Sequence, residues 1–199
     1  MRTLKVFVLG ILAGISIALG GCAFIACKSI DMAWLGAVLF PVGLLLVCSF
    51  GFKLFTGQLG YVFEKKDKVF CLDLFIMCLG NIVGAAVLGV FFWVLFKDNS
   101  TIMNTVTTVS SSKLLNFDNL NSIYELLISG IFCGMLVYVA VAIFKHAEAP
   151  VVKVIGLMFA ITTFVIAGFA HCIANVFYFA ASLDMFLKAP QALLGFLIV

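Results

Sequence analysis

Apolar stretches without Asp, Glu, Lys or Arg occupy residues 6–27, 32–52, 54–63, 74–96, 126–144, 154–183 and 189–199. About 20 apolar residues at a rise of about 1.5 Å cross a hydrocarbon core of about 30 Å, so the first, second, fourth, fifth and sixth stretches each predict a membrane span. Two of the five are too long for a plain helix. Residues 32–63 are interrupted only by Lys53, and 154–183 would extend about 45 Å if straight. Each is expected to break partway, at Gly51-Phe52-Lys53-Leu54-Phe55-Thr56-Gly57 and at Ala167-Gly168-Phe169-Ala170-His171, where glycine tolerates non-helical backbone. Irregular backbone at membrane depth persists only where protein or a wet cavity satisfies its amides and carbonyls, so the breaks predict a pathway.

Composition narrows the class. With 65% hydrophobic and 11% charged residues and a mean hydropathy of +1.28, the chain cannot cover a water-soluble globule, which excludes a soluble enzyme or a nucleic-acid binder. The net charge of +3 has no basic tract behind it. Arg2, Lys5, Lys65, Lys66, Lys68, Lys145 and Lys153 fall on one side of the predicted spans and Lys28, Lys97, Lys113 and Lys188 on the other, which predicts a multi-pass protein of the cell membrane with a cytoplasmic N-terminus. The first stretch exceeds a signal-peptide core and is expected to stay as a helix. The seven cysteines show neither C-x-x-C nor metal-ligand spacing and are expected to pack as small hydrophobes, so no metal and no cofactor is expected.

An internal repeat orders the spans. Gly10-Ile11-Leu12-Ala13-Gly14 in the first is echoed by Gly130-Ile131-Phe132-Cys133-Gly134 in the fourth, and each is followed by a segment with a break. If the repeating unit holds three helices, the second copy crosses in the opposite sense to the first, giving an inverted repeat whose breaks meet near the midplane. The expected chain is a single transmembrane domain over 1–199, with a first repeat at about 5–97 and a second, incomplete, at about 121–199. The third helix of the first half contains Gly80-Asn81-Ile82-Val83-Gly84 and lacks a counterpart, because 189–199 is about half the length needed to cross. The glycine pairs 10/14, 80/84 and 130/134 are expected to permit close helix packing.

Leu54-Phe55-Thr56-Gly57, Gly80-Asn81-Ile82-Val83-Gly84 and, above all, Gly168-Phe169-Ala170-His171-Cys172-Ile173-Ala174-Asn175 resemble the signature segments of the formate/nitrite transporter family, which includes hydrosulfide channels. The resemblance runs from about residue 5 to 182. It implies an all-α, aquaporin-like inverted-repeat bundle with two broken helices, here with five of six spans, assembled as a homopentamer with one pore per protomer. It also implies that small monovalent anions (formate, nitrite or hydrosulfide) or their neutral acids are the cargo. By the same resemblance Leu54-Phe55-Thr56 forms the loop breaking the second helix, His171 is the central pore histidine and Asn175 lies one turn beyond it. Lys113 resembles the lysine that many members place near the outer mouth, where its charge would attract anions; a solvated loop lysine is the alternative. The chain departs from the family pattern at Lys53, where an acidic residue is common, at Gly134, often asparagine, in the short segment before the first span, and in the sixth helix. A truncated or regulatory non-conducting member is therefore the alternative function.

Site chemistry can also be argued directly. A small anion entering a narrow apolar passage loses hydration worth several kcal/mol, and protonation removes its charge. An imidazole of ordinary pKa about 6.5 exchanges protons near neutral pH. His171, the histidine within a span, is thus the expected hydrogen-bond donor and proton partner, against the alternative of a structural histidine on a backbone carbonyl. Thr56 offers a hydroxyl to His171 or to the solute, or else back to its own helix. Leu54, Phe55 and Phe169 would form apolar constrictions, although aromatic residues in membrane helices usually pack. Lys53 within a span needs a partner or a route to water, with Glu64 one candidate. Trp34 and Trp93 are placed as interfacial anchors. Catalysis by Cys172 beside His171 is disfavoured, because adjacent helical residues point about 100° apart and no third orienting group is evident.

Overall fold

The computed structural model describes residues 2–65, 67–114 and 120–188, which form helices joined by short connections. In chain order these are α1 (Arg2–Lys28), α2 (Ala33–Leu39), α3 (Val42–Phe50), α4 (Phe55–Leu59), α5 (Val62–Lys65), α6 (Lys68–Phe96), α7 (Ser100–Ser111), α8 (Leu120–His146), α9 (Pro150–Ile166), α10 (Cys172–Ala181) and α11 (Leu183–Lys188). The apolar stretch 189–199 lies outside the described residues.

Helix starts and stops follow local chemistry. Asp67 caps α6 by accepting from the Val69 amide, Asn99 caps α7 by accepting from Ile102, and Pro150 opens α9 at a position where its missing N–H costs nothing. Pro41 separates α2 from α3 without ending the crossing, and the whole 18-residue segment Ala33–Phe50 remains long and apolar enough to span. Arg2–Lys28, Lys68–Phe96 and Ile123–His146 meet the same criterion. The fifth expected crossing is divided into two shorter apolar helices, α9 and α10.

The first half is built around α1 and α6, which run parallel at backbone contact. A Cβ on Gly14 would overlap the backbone of Asn81 and Ala85, one on Gly84 would overlap that of Ile11, and one on Gly10 would stand 3.3 Å from the Gly80 Cα. The 10/14 and 80/84 pairs therefore pack as expected. Gly130 and Gly134 meet no neighbouring helix among the described residues: no atom outside their own helix backbone lies within 4 Å of a Cβ built on either, and both line a cavity. α2 and α3 return along α1, α10 packs on α6, and α8 packs on α9 and α4. Phe177 of α10, fully buried, meets Phe92 of α6 edge-on and fills the space that Gly21 leaves on α1. Such close fitting matters in lipid, where apolar surface gains nothing by leaving its surroundings and helices associate by packing.

Both expected breaks are present, with matching geometry. α3 ends at Gly51 in the left-handed region (φ 68°, ψ 26°), followed by an extended Leu54 that caps α4. α9 is followed by Gly168, also left-handed (φ 72°), then an extended His171 that caps α10. Each break thus runs glycine, phenylalanine, one residue, extended cap, helix. The polar stretch between α6 and α8, expected only as a connection, contains the helix α7, with Val106, Val109 and Ser110 buried against the bundle.

Gly51→Ala should cost about 1 kcal/mol, from left-handed strain alone, since no atom of the described residues around it lies within 4 Å of its Cβ. Gly14→Ala must separate two backbones and should cost about 1–3 kcal/mol or more. Thermal unfolding of the purified variants in detergent should rank Gly14→Ala as the more damaging.

Candidate functional site

The first break is held by a buried asparagine. Beyond the αL glycine the Phe52 N–H bonds back to Val47 O at 3.0 Å, and the Lys53 N–H reaches Leu9 O of α1 at 3.2 Å. Asn81, in the middle of α6 and fully buried, closes the rest. Its Oδ1 accepts from the Phe55 N–H at 2.8 Å, and its Nδ2 donates to Lys53 O and Gly10 O, each at 2.8 Å. One amide therefore serves both sides of the break and the partner helix, which is the satisfaction that membrane depth demands.

The second break uses different donors in the same pattern. The Phe169 N–H bonds to Phe164 O at 3.1 Å, and the Ala170 N–H donates to Ser129 Oγ of α8 at 2.6 Å. Ser129 immediately precedes Gly130, as Leu9 precedes Gly10, so each break is braced by a residue just ahead of a G-x-x-x-G pattern. The Gly168 carbonyl accepts from Lys113 Nζ at 2.5 Å. Lys113 reaches it because α7 is pinned to the end of α10: Ser110 Oγ donates to Tyr178 O at 2.9 Å, and Ser182 Oγ lies 2.8 Å from Ser110 Oγ.

The two breaks meet at His171. Its ring is 4% exposed and stacks on Phe164 at 5.8 Å with 20° between planes. Nδ1 accepts from the Ala174 N–H at 3.1 Å, as the side-chain cap of α10. An acceptor at Nδ1 fixes the neutral tautomer with hydrogen on Nε2, which lies 3.1 Å from Thr56 Oγ1 of the other break and so donates to it. Among the described residues the Thr56 hydroxyl hydrogen has no acceptor. His171 borders two cavities: one of about 420 Å³ that also holds Lys113, Asn175 and Phe169, and one of about 820 Å³ that holds Phe55, Thr56, Gly130 and Gly134.

The remaining expected site residues fall as follows. Asn175, 2% exposed, borders the first cavity, and its Nδ2 finds no acceptor among the described residues. Lys113 lines the first cavity and a third of about 200 Å³ that also touches Glu125. Burial lowers its ammonium below the ordinary lysine range, and the charge of Lys28 lowers it further. Phe169 lines the first cavity and stacks on Phe132 at 5.5 Å, while Phe55 lines the second. Leu54 is 2% exposed and borders none of these three cavities. Lys53 takes part through its backbone, and the Glu64 carboxylate accepts from Tyr138 OH at 3.4 Å. Among the described residues no three His, Cys, Asp or Glu side chains gather as a metal site. Sequence reasoning did not assign Asn81 or Ser129 a role. The available signal was a carboxamide and a hydroxyl within apolar spans, each beside a glycine of a G-x-x-x-G pattern.

Comparison with known proteins places this geometry. The profile of the formate/nitrite transporter family matches residues 1–199. An uncharacterized transporter, YrhG, of Bacillus subtilis is 32% identical over 195 residues, covering 90% of this chain and 71% of that protein. The formate channel FocB of Escherichia coli is 25% identical over 202 residues, covering 94% of this chain and 70% of its own. The solved structure of a pentameric formate channel with formate bound superposes with a TM-score of 0.77 at 26% identity, covering 96% of this chain and 79% of that one.

Asn81→Ala would leave the Phe55 amide and the Lys53 carbonyl without the partner they have among the described residues, while Gly10 O keeps its bond within α1, at about 1–3 kcal/mol for each group left unsatisfied. The variant should lose at least about 2 kcal/mol in thermal unfolding. Hydrogen exchange at the Phe55 amide should accelerate before that of α1 as a whole.

Proposed function

Because the chain belongs to the formate/nitrite transporter family, we propose that it carries small monovalent weak-acid anions (formate, nitrite or hydrosulfide) across the cell membrane between the two breaks, with proton exchange at His171. It acts as a transporter and not as an enzyme. The observation that carries this reading is the 3.1 Å contact between Thr56 Oγ1 and His171 Nε2, which joins the two interrupted crossings at a buried imidazole. The proposed assembly is a homopentamer with one pathway per protomer and a cytoplasmic N-terminus. Its inverted repeats cover about 5–97 and 121–199. The likeness to a solved pentameric formate channel supports the oligomer, and the excess of basic residues at the end where α1 starts supports the orientation.

The proposed route gives each residue a task. Lys113 and Asn175 receive the anion in the first cavity, and Phe169 and Phe55 narrow the passage on the two sides of His171. Leu54 backs the narrowing from within the core. The Nε2–H, now shared with Thr56, turns to the anion and offsets part of its lost hydration. Neutral imidazole cannot give up that proton, because imidazolate would result. Proton transfer therefore first requires a proton to arrive at Nδ1, which breaks the bond from the Ala174 amide. The cation formed then releases the Nε2 proton to the anion, so the neutral acid leaves and the ring remains as the other tautomer until it resets. The cap bond to Ala174 keeps the resting ring neutral, and the positive end of α10 does the same.

Proteoliposomes loaded with each of the three anions test this reading. Flux should be pH-dependent and should fall about tenfold or more in both His171→Ala and His171→Asn, in line with the loss of a charged hydrogen bond of about 1.5–3 kcal/mol. Both variants lose the Thr56 contact and the stack on Phe164, but asparagine can still cap α10, so His171→Asn should be more stable than His171→Ala by about 1 kcal/mol. Wild-type protein that passes none of the three anions would mark a non-conducting member of the fold.

A further inference from the structure

The cavity beside His171 contains a second cation to which the pathway above gives no task. Lys28, the last residue of α1, lines it together with Lys113, and no Asp or Glu is among its lining residues within the described chain. Much of the wall is aromatic, from Phe24, Trp34, Phe40 and Phe164. Lys28 Nζ stands 5.6 Å from the centroid of the Phe24 ring, a face that steadies an ammonium without neutralising it. Its charge reaches Lys113 across the cavity, where it adds to the effect of burial on that ammonium. Two like charges around one apolar-walled space repel, and an anion between them relieves the repulsion. Asn175 also lines this cavity, and its buried Nδ2 finds no acceptor among the described residues.

We propose that Lys28 is an anion-collecting residue of this cavity, which raises the local concentration of small monovalent anions and hands them to Lys113 and Asn175. This rests on the anion pathway proposed above and extends it by one residue. The C-terminal carbonyls of α1 carry partial negative charge next to Lys28, and its reach into the cavity keeps it from being only their counter-charge. Lys28 acts before the anion meets His171. Its removal should therefore raise KM for uptake and leave kcat largely unchanged, the signature of lost encounter and not of lost passage.

Two measurements on the full chain in proteoliposomes separate this from the reading it extends. In a Trp93→Phe background, Trp34 on the cavity wall is the remaining tryptophan and reports quencher access. Iodide quenching should fall about twofold or more in Lys28→Gln, fall further in Lys28→Glu, and be retained in Lys28→Arg, while quenching by neutral acrylamide stays the same in all. Formate uptake should show KM raised about threefold or more in Lys28→Gln, with a weaker dependence on ionic strength than wild type. Lys97→Gln, an exposed lysine outside the cavity, should behave as wild type. Iodide quenching unchanged in Lys28→Gln and Lys28→Glu overturns the proposal, as does a fall in kcat without a rise in KM. Loss of iodide quenching in Lys28→Gln with no anion flux in wild type would keep Lys28 as an anion collector and remove the transport reading.

Discussion

Backbone amides and carbonyls exposed at membrane depth have no water to bond, and this constraint organises the fold around its two interruptions. Each break frees groups that a continuous helix would have paired internally. The chain answers with a left-handed glycine that folds the end of the preceding helix back on itself, an extended residue that caps the next one, and side chains sent in from neighbouring crossings. Asn81 and Ser129 are the clearest of these. Both sit on long helices whose own hydrogen bonds are complete, so their side chains are available for another segment.

The arrangement ties function to packing. Asn81 can reach Gly10 O and Lys53 O together only because α1 and α6 touch at their glycines, so the same close approach that holds the first half also holds the break open. In the second half the imidazole is both the cap of α10 and the contact to Thr56. Its two nitrogens therefore have unequal duties, Nδ1 structural and Nε2 facing the other break. A ring so held is oriented before any solute arrives, which avoids an ordering cost at the moment of binding.

The two cavities that His171 borders differ in charge: among the described residues one has two lysines and no carboxylate on its walls, and the other has a largely apolar lining of Phe55, Leu59, Ile131 and Met135. α7 makes the first of these possible. By docking its buried Ser110 on the end of α10, it carries Lys113 over the bundle to the Gly168 carbonyl, so a residue far from the break in sequence becomes part of it.

The central place expected of His171 rested on the resemblance of residues 168–175 to a family signature, whereas length, charge-free periodicity and glycine placement determined the membrane class, the crossings and the positions of both breaks. These are local properties, set by helix rise against bilayer thickness and by which residues tolerate left-handed backbone. The glycine pairs were legible as packing motifs, but whether each is filled was not: 10/14 and 80/84 meet backbone, and 130/134 meet none within the described residues. Other features were decided only by the tertiary structure. Among them are the Asn81 and Ser129 braces, the tautomer of His171 imposed by Ala174 and its contact with Thr56, the helix hidden in the polar stretch 100–111, and the convergence of Lys28 with Lys113 on one cavity. Each joins residues distant along the chain, and a hydrogen bond or a shared field depends on angstrom-scale separations in space that sequence spacing does not encode.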